Sequence, residues 1–243
     1  MLELLQQGKN ITVYLDEGSF GFIQMYDNPY HKRNCYIKLN LERLDPTISA
    51  VLFNKLIKIV NRPLQVMINS GDAQTTAFLT AGGFQCKRKC YEVEAYEKDL
   101  IGAAAQSSLL CAHPGEPEYD SCCKIMYEYY MKSHETINPW TAEFTDFCEK
   151  LPAEVVYEIN DGKIVNLAFV EDNEIAYIYT ADRKSFGLFA ASLIGRLFSS
   201  GHETICFESD DCDWAAMQLR AMFANQDEES FDTYIYESER AIS

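Results

Sequence analysis

The sequence predicts an α/β (α+β) fold made of two tandem lobes with mixed central sheets. Three observations lead there: strand and helix periods alternate along the chain, one order of elements occurs twice, and the composition breaks near the middle. Of the 243 residues, 47% are hydrophobic, ample for packed cores and too many for a disordered chain. The net charge is −16, but residues 1–115 carry 12 Lys+Arg against 11 Asp+Glu, whereas residues 116–243 carry 9 against 26. Small and proline-containing stretches, Gly102–Ser108 and His113-Pro114-Gly115-Glu116-Pro117, mark a linker at 101–120. The lobes are then 1–100 and 121–243.

The first lobe opens on strands. Asn10–Leu15 alternates, Phe20–Tyr26 is rich in aromatics, and Asn34–Leu41 alternates through Cys35, Ile37, Leu39 and Leu41. Asp16-Glu17-Gly18-Ser19 is the turn between the first two. After Asp45-Pro46-Thr47 the period changes: Ile48, Leu52, Phe53, Leu56, Ile57 and Val60 form one helical face, and Arg62-Pro63 ends it. Leu64–Asn69 is a buried strand. Asp72 caps a helix over Ala73–Ala81, which Gly82-Gly83 terminates, and Tyr91–Tyr96 is the last strand.

The second lobe repeats this order at greater length. Helices are expected over Ser121–Ser133 and Thr141–Leu151, with strands at Val155–Ile159 and Ile164–Val170 joined by the turn Asn160-Asp161-Gly162-Lys163. Strand Glu174–Thr180, loop Ala181–Ser185 and helix Phe186–Ser199 follow. Strand Glu203–Glu208, helix Asp213–Phe223 and strand Phe231–Glu237 complete it.

Composition excludes several function classes. An acidic chain does not suit a phosphate backbone, so no nucleic-acid partner is expected. No apolar run is long enough to span a membrane, and Met1–Gln7 lacks the features of a signal peptide, so a cytoplasmic location is expected. Nine cysteines, an odd number, fit reduced thiols better than a disulfide framework. Cys86-x-x-x-Cys90 and Cys122-Cys123 lack partners at metal-ligand spacing, so no metal is expected. None of His31, His113, His134 and His202 sits in a nucleophile-elbow context, and no G-x-x-x-x-G-K-[ST] is present. The acid of the second lobe serves either as a solubilising surface or as a field for a cationic ligand.

The run Asp72-Ala73-Gln74-Thr75-Thr76-Ala77-Phe78-Leu79-Thr80-Ala81-Gly82-Gly83-Phe84 resembles the late helix of the GNAT-type N-acetyltransferase family, which ends in Gly-Phe; Asp211–Phe223 falls in the same register without the glycine. With the order of elements, the resemblance spans about residues 10–96 and 121–237. It implies an acyl-CoA N-acyltransferase (GNAT-like) fold in tandem, the first lobe degenerate. The family holds the pyrophosphate of coenzyme A on a Gln/Arg-x-x-Gly-x-Gly/Ala loop at a helix start. The matching stretch here is Lys184-Ser185-Phe186-Gly187-Leu188-Phe189, with Phe189 where the family has a small residue. Arg183 and Ser185 add donors, and Ile178, Tyr179 and Thr180 lie on the strand that would align the pantetheine.

The resemblance further implies a general base at Glu174 or Glu208, with Glu171 third, and an acid from the late helix. Gln218 occupies the acid's register and cannot serve, which leaves Tyr236, or Tyr234, on the last strand. The first lobe has only Glu42-Arg43-Leu44-Asp45-Pro46-Thr47-Ile48 at the equivalent point, where Asp45 would repel phosphate. The implied function is an acetyl-CoA-dependent N-acetyltransferase, with acetyl-CoA as co-substrate and a small-molecule amine, peptide amine or other cationic acceptor. The alternatives are an inactive acyl-CoA-binding or sensing protein and a structural module without coenzyme A.

Overall fold

The computed structural model describes residues 1–16, 18–102 and 109–237. In chain order the elements are β1 (Leu2–Gln7), β2 (Asn10–Leu15), β3 (Gly18–Tyr26), β4 (Cys35–Leu41), α1 (Pro46–Val60), β5 (Leu64–Asn69), α2 (Ala73–Ala81) and β6 (Gln85–Tyr96). There follow β7 (Leu110–Ala112), α3 (Pro117–Ser133), α4 (Phe144–Cys148), β8 (Glu154–Asn160), β9 (Lys163–Glu171), β10 (Glu174–Thr180), α5 (Phe186–Ser199), β11 (Thr204–Asp210), α6 (Trp214–Arg220) and β12 (Phe231–Tyr236). They form two compact units. Unit 1 holds Met1–Lys89, His134–Ala142 and the chain from Glu229 on; unit 2 holds Cys90–Ser133 and Glu143–Glu228.

In unit 1, β1 to β4 run antiparallel in sequence order. β4 then pairs with β5 in parallel at Cys35↔Leu64 and Tyr36↔Gln65, and β12 runs antiparallel to β5 from Phe231↔Asn69 to Tyr236↔Leu64. The core joins Ile11, Ile23, Ile37 and Leu64 of the strands to Leu52, Phe53 and Leu56 of α1 and Phe78 and Leu79 of α2. Helix α1 starts where expected because Pro46 fits the first turn and the Asp45 carboxylate accepts from Thr47 N–H at 2.9 Å. Its close packing on α2 requires Gly82, where an added Cβ would lie 2.5 Å from Phe53 Cδ2. Gly83 then takes φ +94°, the left-handed turn that ends α2. The segment His134–Ala142 lies over the β4–β5 junction: Asn34 Nδ2 donates to Gln65 Oε1 and Ile137 O, both at 2.8 Å, and Trp140 stacks on Tyr30 at 4.7 Å.

In unit 2 the strand order is β6-β11-β10-β9-β8-β7, with β10–β11 parallel and every other pair antiparallel. Helices α5 and α6 share the core of this unit with Ile175, Ile178, Ile205, Phe207, Val93 and Ala95. On the opposite face, α3 and α4 pack through Tyr119 on Phe169, Tyr130 on Tyr177 and Phe147 on Tyr177.

Several elements differ from expectation. Strand β1 was not foreseen; its pairing with β2 from Leu2↔Leu15 to Gln7↔Asn10 recruits the first residues into the sheet. Within the stretch read as linker, Leu110–Ala112 adds strand β7 to the edge of β8, and α3 begins at Pro117 because proline suits a first turn. The turn residue Glu17 and Ala103–Ser108 of that stretch lie outside the described residues. The strands read as last in the stretches 1–100 and 121–243 also pair with strands of the other stretch. β6 runs antiparallel to β11 in unit 2, from Tyr96↔Thr204 to Cys90↔Asp210, and β12 joins β5 in unit 1.

Candidate active site in unit 2

The site begins with a fork in the sheet. β10 and β11 are in parallel register at Glu174↔Cys206 alone, and an irregularity between Ile175 and Tyr177 leaves Ala176 as an extra residue opposite β9. From Tyr177 to Thr180, β10 pairs with β9 on one edge, and among the described residues no strand pairs with its other edge. An unpaired strand edge presents N–H and C=O groups to an extended, amide-bearing ligand.

At the open end of the fork the chain turns tightly around Asp182. Its carbonyl accepts from Ser185 N–H and Phe186 N–H at 3.2 Å each, its N–H donates to Thr180 Oγ1 at 3.0 Å, and its carboxylate accepts from Lys184 N–H at 3.0 Å. Ser185 Oγ accepts from Asn166 Nδ2 at 2.9 Å, which anchors the loop to a fully buried side chain of β9. Helix α5 starts without a side-chain cap and without an acidic residue in its first turn. Phe186 N–H is taken by the Asp182 carbonyl, and the N–H groups of Gly187 and Leu188 and the positive end of the dipole face an anion with no acidic side chain among them. An added Cβ at Gly187 would meet nothing within 4 Å. The donors, the open approach at Gly187 and the cations Arg183 and Lys184 fit a pyrophosphate, and the free edge of β10 fits the amides of pantetheine.

The loop and helix residues expected to bind coenzyme A divide in two. Arg183, Lys184, Gly187 and Leu188 are exposed and Ser185 is half-buried, whereas Phe186 and Phe189 point into the core at 2% and 1% exposure. Phe189 thus leaves the loop side of the helix clear, so a bulky residue at that position does not obstruct backbone approach. Ile178 is buried in the core, and Tyr179 and Thr180 are half-buried on β10.

Glu174 and Glu208 come together on one face of the fork. Glu174 lies opposite Cys206, two residues before Glu208, and both carboxylates are exposed. The side chain beside them is Tyr177, whose phenol is pushed up by burial first, then by Glu208 and Glu174. Cys90 Sγ lies 3.6 Å from Glu208 Oε2. Tyr236 is not brought to this fork: β12 carries it into the core of unit 1, where it packs on Phe84 at 5.4 Å and its hydroxyl donates to Asn54 Oδ1 at 2.7 Å. Tyr234 is buried in the same core. Gln218 is exposed on α6.

Three features escaped sequence reasoning. Tyr177 lies inside the strand read at Glu174–Thr180, and no local signal separates a tyrosine facing two carboxylates from one that only packs. Trp214 opens α6, with Phe186 at 5.5 Å and the Arg183 guanidinium over its ring at 4.6 Å. Tyr129 of α3 donates to Asp213 Oδ1 at 2.6 Å, while the same oxygen caps α6 by accepting from Ala215 N–H and Ala216 N–H. Burial raises the pKa of both Tyr129 and Asp213, and in Tyr129 the Asp213 charge adds to the effect. Among the described residues, no group of three His, Cys, Asp or Glu side chains could hold a metal, and no helix is long and apolar enough to cross a membrane.

No protein-family model and no curated protein sequence matches the chain. Solved structures do. The chain is similar to a GCN5-related N-acetyltransferase from Sphaerobacter thermophilus, at 10% identity over 96% of this chain and 82% of that one, with a TM-score of 0.50. A GCN5-related N-acetyltransferase from Kribbella flavida matches at 13% identity over 99% and 91%, with a TM-score of 0.48. A tandem GNAT protein from the clavulanic acid biosynthesis pathway matches at 11% identity over 94% and 82%, with a TM-score of 0.48. The forked β10–β11 pair, the uncapped helix α5 and the first of these likenesses agree: the chain has the GNAT-type N-acetyltransferase fold.

Proposed function

We propose that unit 2 is an acyl-CoA-dependent N-acyltransferase centre that uses acetyl-CoA and a primary amine, either a small molecule or a peptide amine. The observation that carries this reading is the fork: a parallel pair that parts after Glu174↔Cys206, directly below an uncapped helix start. In this reading the free edge of β10 from Tyr177 to Thr180 binds the pantetheine amides, and the first turn of α5 with Arg183 and Lys184 binds the phosphates. Acetyl-CoA supplies the activated acyl group. Glu174 or Glu208 takes the proton of the acceptor ammonium, directly or through water, and so delivers a neutral nucleophile. Tyr177, kept protonated by burial and by the two carboxylates, is the phenol placed to protonate the departing thiolate. We further infer that the halves 1–100 and 121–243 arose as tandem repeats, with unit 1 structural. A cytoplasmic setting suits nine cysteines of which none is in a disulfide.

The test is calorimetric titration of acetyl-CoA into the full chain, followed by thiol release with a panel of amines. Binding with one molecule per chain and amine-dependent release support the enzyme; no binding at millimolar concentration removes the reading. Glu174→Gln and Glu208→Gln identify the base: loss of the acidic limb of the pH–rate profile, with the rate lowered about 10²-fold or more, marks the one that acts. A second reading, an acyl-CoA sensor, is favoured by Gln218 at the register of the late-helix acid. Binding without release by any amine, unchanged in Tyr177→Phe, would establish it.

A further inference from the structure

We infer that Trp214 is a positioning residue for the phosphate end of the site: its ring holds the Arg183 guanidinium beside the start of α5. This rests on the proposed acyl-CoA site and adds to it the device that keeps the site cationic. Unit 2 contains 9 Lys+Arg against 25 Asp+Glu and so carries the whole net charge of the chain. An exposed arginine in such a field is drawn to a carboxylate, and Asp182 is its direct neighbour in sequence. Yet Arg183 makes no ion pair among the described residues; its guanidinium lies 4.6 Å above the Trp214 ring instead. Trp214 is itself held at 5.5 Å by Phe186, the first residue of α5, which is buried in the core. Arg183 over the Trp214 face, with Phe186 edge-on to that ring, therefore ties the cation to the helix start rather than to the acidic surface.

A guanidinium over an indole face keeps its N–H donors, because these lie in its plane and project from its rim. They remain able to bind phosphate oxygens in the bidentate manner that suits arginine. Lysine would be a poor substitute, since it is more strongly hydrated and lacks a flat face to stack. Asp182 does not compete for the cation through its backbone-directed oxygen, which Lys184 N–H occupies.

The decisive comparison is acetyl-CoA affinity, by calorimetry on the full chain, for Trp214→Phe, Trp214→Leu, Arg183→Ala and the double variant Arg183→Ala/Trp214→Leu. Both Trp214 substitutions keep an apolar side chain against Phe186, but only phenylalanine keeps a π face. Trp214→Phe is expected within about threefold of the unaltered chain, and Trp214→Leu and Arg183→Ala each about tenfold weaker. The double variant is expected to be no weaker than Arg183→Ala, because the tryptophan acts through the arginine. Equal affinities for the phenylalanine and leucine variants, or losses that add in the double variant, would overturn the inference while the acyl-CoA site stands. No binding by the unaltered chain would overturn both.

Discussion

Helices α1 and α5 start at the same point of two similar sub-structures and present opposite surfaces. Each follows a strand that pairs in parallel with the next strand over only one or two positions: Cys35↔Leu64 and Tyr36↔Gln65 in unit 1, Glu174↔Cys206 in unit 2. At α1 the Asp45 carboxylate has already taken the first donors, accepting from Thr47 N–H at 2.9 Å and Thr47 Oγ1 at 2.7 Å. At α5 Ser185 does not cap, the Asp182 carbonyl accepts from Phe186 N–H, and the exposed residues around the start are Arg183, Lys184 and Gly187. The side of the β4–β5 junction opposite the core is also filled in unit 1, by His134–Ala142. The comparison teaches that two forked parallel pairs can start their helices differently: one is capped by a carboxylate of the chain, and the other, under the proposed function, is left to a ligand.

The comparison breaks most decisively at Gly187. Gly187→Trp fills the open approach to α5, and acetyl-CoA affinity should fall by about 100-fold or more, with little change in melting temperature because position 187 is exposed and an added Cβ there meets nothing within 4 Å. Unaltered affinity by calorimetry would place the ligand elsewhere. Two glycines on late and early helix turns sharpen it next. Gly82→Ala drives a Cβ into Phe53 and should cost about 1–3 kcal/mol in urea denaturation, whereas Gly187→Ala removes backbone freedom in an open helix turn and should gain up to about 1 kcal/mol.

Asp45→Ala should lower the urea midpoint by less than Gly82→Ala and leave acetyl-CoA affinity and the stoichiometry of one unchanged; a second equivalent bound would show that the cap alone silences unit 1. The smallest effect is a difference in acid response. Hydrogen bonds from Thr47 hold the Asp45 carboxyl below the usual range, and those from Thr75 do the same for Asp72, so their contribution is complete above the ordinary carboxylate range and fades as pH falls through the depressed values. Asp213 has the opposite sign: burial raises it, so its charged form opposes folding at high pH and protonation relieves that strain as pH falls. As pH falls from 5 to 3, amide protection corrected for the intrinsic exchange rate should weaken at Ala215 and Ala216 before it does at Thr47 and Thr75, because Asp213 takes its proton at higher pH than Asp45 and Asp72 do. Simultaneous weakening would contradict this assignment.

The parts of the fold legible in the sequence were those with a local cause. Helix α1 announces itself through Asp45-Pro46-Thr47 and a clean apolar face, and α5 through Phe186, Phe189, Leu193 and Leu197. The turn that leads from Asp182 into α5 at Phe186 was equally legible, because its residues are contiguous. The partner of a last strand was not. Tyr91–Tyr96 and Phe231–Tyr236 are alternating strands in either sheet, and nothing within them prefers β11 over β5. That nonlocal choice misplaced Tyr236, which would have to lie beside β11 to serve the fork. Long-range pairing also hid Tyr177 and Trp214, whose proposed roles depend on neighbours 31 residues away in sequence, Glu208 in one case and Arg183 in the other.

The placement of β12 has a consequence for synthesis. A ribosome delivers the residues of β1 to β5, α1 and α2 long before Phe231–Tyr236, yet the sheet of unit 1 has β5 paired with that final strand. Until it emerges, the flank of β5 that β12 will cover is an open strand edge. The nascent first half must wait, exposed to mispairing, for a strand that follows a long stretch of chain, most of which folds into unit 2. Stop codons just upstream of Phe231 should therefore do their damage about 160 residues away in sequence, at Leu64–Asn69.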